Sequence, residues 1–218
     1  MGGGIPEYLS RVGDRLKRLL DPDALSYVSR HEKVWIDPDY GLRVVKDVEL
    51  KSKAGDVSCY TSGWVSYSVP ARLEDVRFDI SVLDSSGREA VYFPIEDRPH
   101  SKRLMVCLIP PLQQWETVQI RTEWQWPQWW QQLKKKKKDV LKVNLPGPVK
   151  DFSIQFYIAD SICEDMDSLG KIEVVPAPSS KNLPIRKPAR SKWVEHIWSC
   201  GHAKRGAIEF LVSFPAKE

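Results

Sequence analysis

The sequence has no apolar run that approaches the roughly 20 residues needed to span a bilayer. Its first ten residues, MGGGIPEYLS, lack the basic and apolar regions of a secretory signal peptide. Cysteine is also scarce, with four residues scattered along the chain. Without a secretory signal, free thiols in a reducing cytosol are favoured over disulfides. These absences predict a cytoplasmic protein without a transmembrane segment.

Several motifs that carry chemistry are missing as well. The chain contains neither of the glycine-rich phosphate-binding patterns, G-x-x-x-x-G-K-[ST] and G-x-G-x-x-G. It also lacks the G-x-S-x-G serine elbow of hydrolases and the His-Glu-x-x-His pair of zinc proteases. These absences argue against the corresponding enzymes, and we predict no cofactor. An enzyme that assembles its site from scattered Cys, His and carboxylate residues remains a third hypothesis.

The chain is long enough to form a hydrophobic core, and its charge is unevenly distributed. With 218 residues, of which 42% are hydrophobic, the composition is that of an ordinary globular protein with one large domain. The net charge of +4 conceals two basic tracts. Residues 134–138 are five lysines, and residues 181–206 hold seven basic residues and one acidic residue. Such a distribution favours local contact with an anionic partner over a surface that coats nucleic acid.

Near the N-terminus, apolar residues recur at steps of three and four. This spacing predicts an amphipathic helix, whose apolar stripe is Tyr8, Leu9, Val12, Leu16, Leu19 and Leu20. Asp21-Pro22-Asp23 ends it and favours a short second helix through Val28. We therefore predict a helical appendage at residues 1–30 and a β-sandwich domain at residues 31–218. Packing of the helix on the domain is favoured over binding to a membrane surface or to a partner helix.

From about Lys33 the apolar period changes to two, which is typical of strands. Residues 76–82 alternate almost ideally and lead through a turn into residues 90–93, which predicts a hairpin. Residues 193–199 and 207–214 predict a second hairpin across a polar turn. About ten short strands in all predict a mainly β fold. We expect a two-sheet antiparallel β-sandwich of immunoglobulin-like architecture, with a closed barrel as the structural alternative.

The most unusual segment is Trp115–Lys138, which holds five of the nine tryptophans and then five consecutive lysines. Trp124 and Trp126 continue the alternating face of a strand and are predicted to lie in the core. Trp129, Trp130 and Leu133 have helical spacing. They are interpreted either as a plug over one end of the sandwich or as an exposed aromatic patch that binds a protein or stacks on nucleic-acid bases. In the first interpretation the lysines are a solvated, flexible connection.

From these features we predict a non-catalytic recognition module that binds a protein partner or senses a ligand. The alternative is binding of nucleic acid or another anionic ligand through the tracts at 134–138 and 181–206. The oligomeric state is open. The candidate binding residues are Trp129, Trp130, Lys134, Lys135, Lys136, Lys137, Lys138, Arg186, Lys187 and Arg190.

With only four histidines, the chain offers one local group of metal-ligating residues, His196, Cys200 and His202. Zinc requires three or four such ligands converging at roughly 2.0–2.3 Å. On an extended strand, however, His196 and Cys200 would be ~13 Å apart. We therefore predict no metal site, and these three residues are only a weak candidate.

Overall fold

A computed structural model describes residues 24–65, 69–83, 86–175, 183–188 and 191–215. Among these residues no helix is long and apolar enough to cross a membrane. The described ranges contain two short α-helices, α1 (Gln131–Lys136) and α2 (Asp160–Met166), and one 3-10 turn (Leu73–Asp75). The strands are β1 (Leu25–Ile36), β2 (Leu42–Ser52), β3 (Val57–Val65), β4 (Arg77–Val82), β5 (Glu89–Arg98), β6 (Ser101–Leu112), β7 (Thr117–Trp126), β8 (Lys138–Leu145), β9 (Val149–Ala159), β10 (Lys171–Val175), β11 (Ile185–Arg186), β12 (Trp193–Cys200) and β13 (Gly206–Ser213).

The thirteen strands of the described residues form one large sheet and two small ones. The large sheet has seven strands in the order β11-β12-β9-β1-β2-β7-β4. Adjacent strands of this sheet are antiparallel, except that β1 and β9, at the centre, pair in parallel. The small sheets have three strands each, in the orders β10-β13-β8 and β3-β6-β5. The prediction of a mainly β, sandwich-like fold is therefore confirmed, and the structure adds a third sheet and a parallel pair.

Both small sheets cover the same face of the large sheet, and each encloses a hydrophobic cluster. One cluster joins large-sheet residues such as Val34 and Trp124 to Phe210 of β13. The other joins Leu50 of the large sheet to Leu108 of β6. The buried residues follow the period-two alternation of each strand, because successive side chains point to opposite faces of a sheet.

A polar seam crosses the buried face of the large sheet, and both small sheets contact it. Arg30 on β1 donates from Nε to Glu32 Oε1 (2.6 Å) and from Nη1 to the Asn144 carbonyl of β8 (2.9 Å). Next to it on β2, Lys46 Nζ donates to Ser62 Oγ of β3 (3.1 Å). The seam therefore hydrogen-bonds the large sheet to each small sheet.

Burial, together with a smaller effect of the neighbouring Arg30 charge, lowers the pKa of Lys46 to about 7 against an opposing effect of Glu32. A second buried lysine, Lys102 on β6, has a different environment. Its Nζ donates to the carbonyls of Ala71 (2.7 Å) and Arg98 and pairs with Asp97 Oδ1 (2.9 Å). The core thus contains two lysines whose surroundings differ in how well they solvate the ammonium group.

The predicted helical appendage lies mostly outside the described residues, which begin at Ala24. The short second helix predicted through Val28 is wrong, because Leu25–Ile36 form β1. The boundary predicted at residue 30 falls inside this strand. Its alternation was obscured because Arg30 and Glu32 occupy buried positions.

Both predicted hairpins are also wrong. β4 pairs with β7 in the large sheet, whereas β5 pairs with β6 in a small sheet. Likewise, β12 pairs with β9 and β11, whereas β13 pairs with β10 and β8. In each case the turn carries the chain from one layer of the sandwich to the other. Phe78 and Tyr92 show this for the first pair, since their rings meet across the layers with centroids 4.6 Å apart.

Candidate binding groove beside the lysine tract

The tryptophans of the central segment belong to the core. Trp124 and Trp126 are buried, as their alternation predicts, and Trp129 and Trp130 are only 4% and 0% exposed. Trp126 and Trp129 pack edge to face with ring centroids 5.1 Å apart. An exposed aromatic patch at Trp129 and Trp130 is therefore wrong, because neither ring is accessible to a partner. Their burial together with Leu133 agrees with the plug interpretation.

The lysines after these tryptophans are more ordered than the predicted flexible connection. Lys134, Lys135 and Lys136 are exposed on α1, Lys137 ends the helix in the left-handed conformation, and Lys138 begins β8. Leu133, at 0% exposure, anchors the helix.

Two of the five lysines make contacts within the chain. Lys137 Nζ lies 2.6 Å from Met166 Sδ at the end of α2, and Lys134 Nζ lies 5.4 Å from the centre of the Tyr40 ring. Lys136 and Lys138 instead line an open groove. The tract is thus divided between internal contacts and a surface.

This groove, of about 800 Å³, lies between α1 and the outer face of the sheet β10-β13-β8. The register of β8 and β13 places Val140 opposite Leu211 and Lys142 opposite Glu209. The two apolar side chains form the floor, and lysines stand on both sides of it. The lining residues are Gln132, Lys136, Lys138, Asp139, Val140, Lys142, Glu209 and Leu211.

Three lysines outnumber two carboxylates in the groove. Glu209 Oε1 pairs with Lys142 Nζ at 3.2 Å. Burial raises the pKa of Asp139, although backbone N–H groups of Val140, Leu133 and Gln132 lower it in part. The Lys136 charge also lowers the pKa of Asp139. Because Lys136 and Lys138 are exposed and the lysines exceed the carboxylates by one, the excess charge in the groove is positive.

None of the described residues of the second basic tract lines this groove. Arg186 and Lys187 are exposed at β11, and Arg190 lies outside the described residues. Lys187 Nζ forms an ion pair with Asp160 Oδ1 at 2.7 Å, which raises the pKa of the lysine. Lys137 and Lys187 therefore contact opposite ends of α2, and an acidic helix separates the two tracts.

The weak metal-site candidate, His196, Cys200 and His202, does not form a metal site in the structure. The His196 side chain is buried on β12, and its Nε2 lies 3.4 Å from the Leu169 carbonyl. Burial lowers the pKa of His196. His202 is exposed in the loop after the strand. In the described part of the chain, no group of three or more His, Cys, Asp or Glu residues is placed to hold a metal ion.

Sequence reasoning missed Val140, Lys142, Glu209 and Leu211 as site residues. The available signal was the alternation of Lys138, Val140 and Lys142 on one face of a strand whose other face is apolar. Without the pairing of β8 with β13, nothing indicated that this face would meet Glu209 and Leu211.

No protein-family model and no curated protein sequence matches this chain. Its fold is similar to that of a protein from Parabacteroides distasonis provisionally named a protease. The two share 8% identity and a TM-score of 0.58, over 88% of this chain and 41% of that protein. An M1 zinc metallopeptidase from Deinococcus radiodurans matches with 8% identity and a TM-score of 0.48, over 87% and 42% of the respective chains. A protein from Legionella pneumophila provisionally named as nutrient-binding matches with 10% identity and a TM-score of 0.43, over 87% and 67%.

The chain thus spans about two fifths of the Parabacteroides protein. At this identity the likeness concerns the fold alone.

Proposed function

We propose that this chain is a non-catalytic recognition domain whose groove beside the lysine tract binds an acidic, partly apolar segment of a protein partner. The observation that carries the proposal is the combination of an apolar floor, Val140 and Leu211, with exposed lysines at its margins. An extended segment that alternates carboxylates with apolar side chains would match both features. The apolar side chains would cover the floor while the carboxylates meet Lys136 and Lys138.

The fold comparison supports an accessory role. In the Parabacteroides protein the same fold makes up 41% of a longer chain, and such a domain commonly contacts other parts of a protein. A cytoplasmic location belongs to the same proposal and rests on the sequence alone.

Binding of nucleic acid through the lysines is the second candidate. The exposed side chains of Lys135, Lys136 and Lys138 favour it. Against it, the tryptophans that would stack on bases are buried, and Lys187 is paired with Asp160. A protein segment is therefore the better match to the groove.

The first test uses fluorescein-labelled decapeptides in which Leu alternates with Glu, Leu with Lys, or Ser with Glu, measured by fluorescence anisotropy. We expect the Leu-Glu peptide to bind best, because it alone satisfies both the floor and the lysines. A 20-nucleotide single strand and a 20-base-pair duplex, each measured at two salt concentrations, test the alternative. Binding of the oligonucleotides with a steep salt dependence, and of no peptide, would reject the protein-segment proposal in favour of nucleic acid.

The second test uses matched variants. The double variant K136E/K138E should weaken Leu-Glu binding about tenfold or more, which corresponds to about 1.4 kcal/mol. The control K33E/K150E makes the same charge change at exposed lysines outside the groove and should leave the affinity within about twofold. Val140→Ser should also weaken binding, whereas Val175→Ser, at a comparably exposed valine on the outer face of the same small sheet, should not. Equal effects of test and control variants would contradict a site in this groove.

A further inference from the structure

Two of the four cysteines face each other across neighbouring strands. Cys59 on β3 is the direct antiparallel partner of Cys107 on β6. Their Sγ atoms are 2.7 Å apart, and both residues are free thiols. A disulfide requires Cα atoms ~4.4–6.8 Å apart and sulfurs ~2.05 Å apart. Directly opposite residues in an antiparallel pair meet the first requirement, so only a small approach of the sulfurs remains.

The pair lies on the outer face of the sheet β3-β6-β5. On β6 the alternate residues Leu104, Val106 and Leu108 are buried against the large sheet, so Cys107 points the other way. Both thiols are half-buried. A small reagent can therefore reach them without opening the core.

We propose that Cys59 and Cys107 are a covalent modification site, which a small disulfide such as glutathione disulfide converts into a cross-strand disulfide. One cysteine thiolate attacks a sulfur of glutathione disulfide, forming a mixed disulfide and releasing one glutathione thiolate. The second cysteine, after losing its proton, attacks the protein sulfur of that mixed disulfide and releases the other glutathione thiolate. Two protein thiols are thus oxidised, and one glutathione disulfide accepts the two electrons and becomes two glutathione thiols.

The surroundings of the pair also predict how fast the reaction proceeds. Burial and the adjacent Cys107 raise the pKa of Cys59 to about 12. Because the thiolate is the attacking species, attack by Cys59 is slow at neutral pH and accelerates as the pH rises.

The other two cysteines provide internal controls. Cys163 is buried on α2, and Cys200 on β12 has Phe152 as its cross-strand partner. Neither is placed opposite a second thiol by the strand register. Oxidation should therefore consume two of the four thiols and leave the other two.

The experiment incubates the folded chain with glutathione disulfide at pH 8.5, blocks free thiols with N-ethylmaleimide and maps non-reduced peptides by mass spectrometry. We expect a Cys59–Cys107 cross-linked peptide and two alkylated cysteines, Cys163 and Cys200. The wild-type chain is the main subject, so the result does not depend on whether a variant folds. The matched variant C163S/C200S should give the same cross-link, whereas Cys107→Ser should leave only mixed glutathione adducts.

The disulfide should also raise the Tm by about 4–16 °C, because it closes a long loop of the unfolded chain. Four alkylated cysteines after oxidation, stable mixed adducts in the wild-type chain, or a cross-link that involves Cys163 or Cys200 would each overturn the proposal.

Discussion

Replacing Lys46 by methionine should stabilise the protein at mildly acidic pH, although it removes a hydrogen bond. Methionine has a similar length and shape and carries no charge. Lys46 is buried, and its pKa is lowered to about 7 because the surrounding core solvates the ammonium poorly. The Lys46 side chain therefore stabilises the unfolded chain, in which it is hydrated and protonated, more than the folded one.

The magnitude follows from the two pKa values. Above about pH 10.5 Lys46 is neutral in both states, and its burial has no electrostatic cost. As the pH falls from there to about 7, the unfolded chain binds a proton that the folded chain does not, so the free energy of unfolding decreases. At about 1.36 kcal/mol per pH unit, the cost reaches about 5 kcal/mol below pH 7.

The variant escapes that cost, which already includes the attraction of Glu32, but loses the hydrogen bond to Ser62, worth about 0.5–1.5 kcal/mol. We expect Lys46→Met to raise the free energy of unfolding by about 2–4 kcal/mol at pH 6. At pH 10 the gain should vanish or turn into a small loss, because the hydrogen bond to Ser62 is missing at that pH as well. The effect of the substitution on the free energy of unfolding should differ by about 4 kcal/mol between pH 6 and pH 10, because only the protonation of Lys46 makes this effect depend on pH.

Urea denaturation of the wild type and the variant at pH 6 and pH 10, followed by tryptophan fluorescence, measures these quantities. Lys102→Met is the matched control. It removes a buried ammonium that two carbonyls and Asp97 hold, so at pH 6 it should destabilise by about 2–4 kcal/mol. Destabilisation by Lys46→Met at pH 6, or an effect equal at both pH values, would refute the argument, because it would mean that the folded core accommodates a charged Lys46.

Two further predictions concern packing, and both are measured by chemical denaturation. Trp130→Ala should lower the free energy of unfolding by about 3–5 kcal/mol, because the ring is fully buried. Trp115 is 61% exposed, so Trp115→Ala should change the free energy of unfolding by less than about 1 kcal/mol. Similar effects of the two substitutions would contradict the assignment of Trp130 to the core. Gly170→Ala should destabilise by about 1–3 kcal/mol, because the residue has a φ of +74° and an added methyl group would lie 3.0 Å from the Phe214 ring. Recovery of stability in the double variant G170A/F214L would assign part of that cost to the ring, and an unaltered stability of Gly170→Ala would argue against the close contact.

The sequence was informative where most residues of one strand face are apolar, as in β7. Alternation alone predicts that Trp124 and Trp126 lie in the core, and both are buried. It was uninformative for β1, where two charged residues take inward positions. Arg30 and Glu32 are tolerated there because they pair with each other, a contact that no local pattern records.

Local sequence patterns also do not show which strands pair with each other. A polar turn between two alternating segments indicates a hairpin equally well whether the chain returns to the same sheet or crosses to the opposite layer. The candidate groove depends on such non-local information. Lys142 and Glu209 are 67 positions apart in the sequence, yet the register of β8 with β13 makes them direct neighbours.

The parallel contact between β1 and β9 has a consequence for how the molecule is made. β1 is complete at Ile36, but the strand that pairs with its second edge starts only at Val149. During synthesis at ~5–20 residues per second, that edge would stay unpaired for several seconds to tens of seconds. On the ribosome, β1, β2 and β7 can assemble as one half of the sheet with an open hydrogen-bonding edge, which invites pairing with another nascent chain. The charged Arg30 and Glu32 interrupt the apolar pattern along this edge, and inward-pointing charges are one of the features by which sheet edges avoid pairing with other chains.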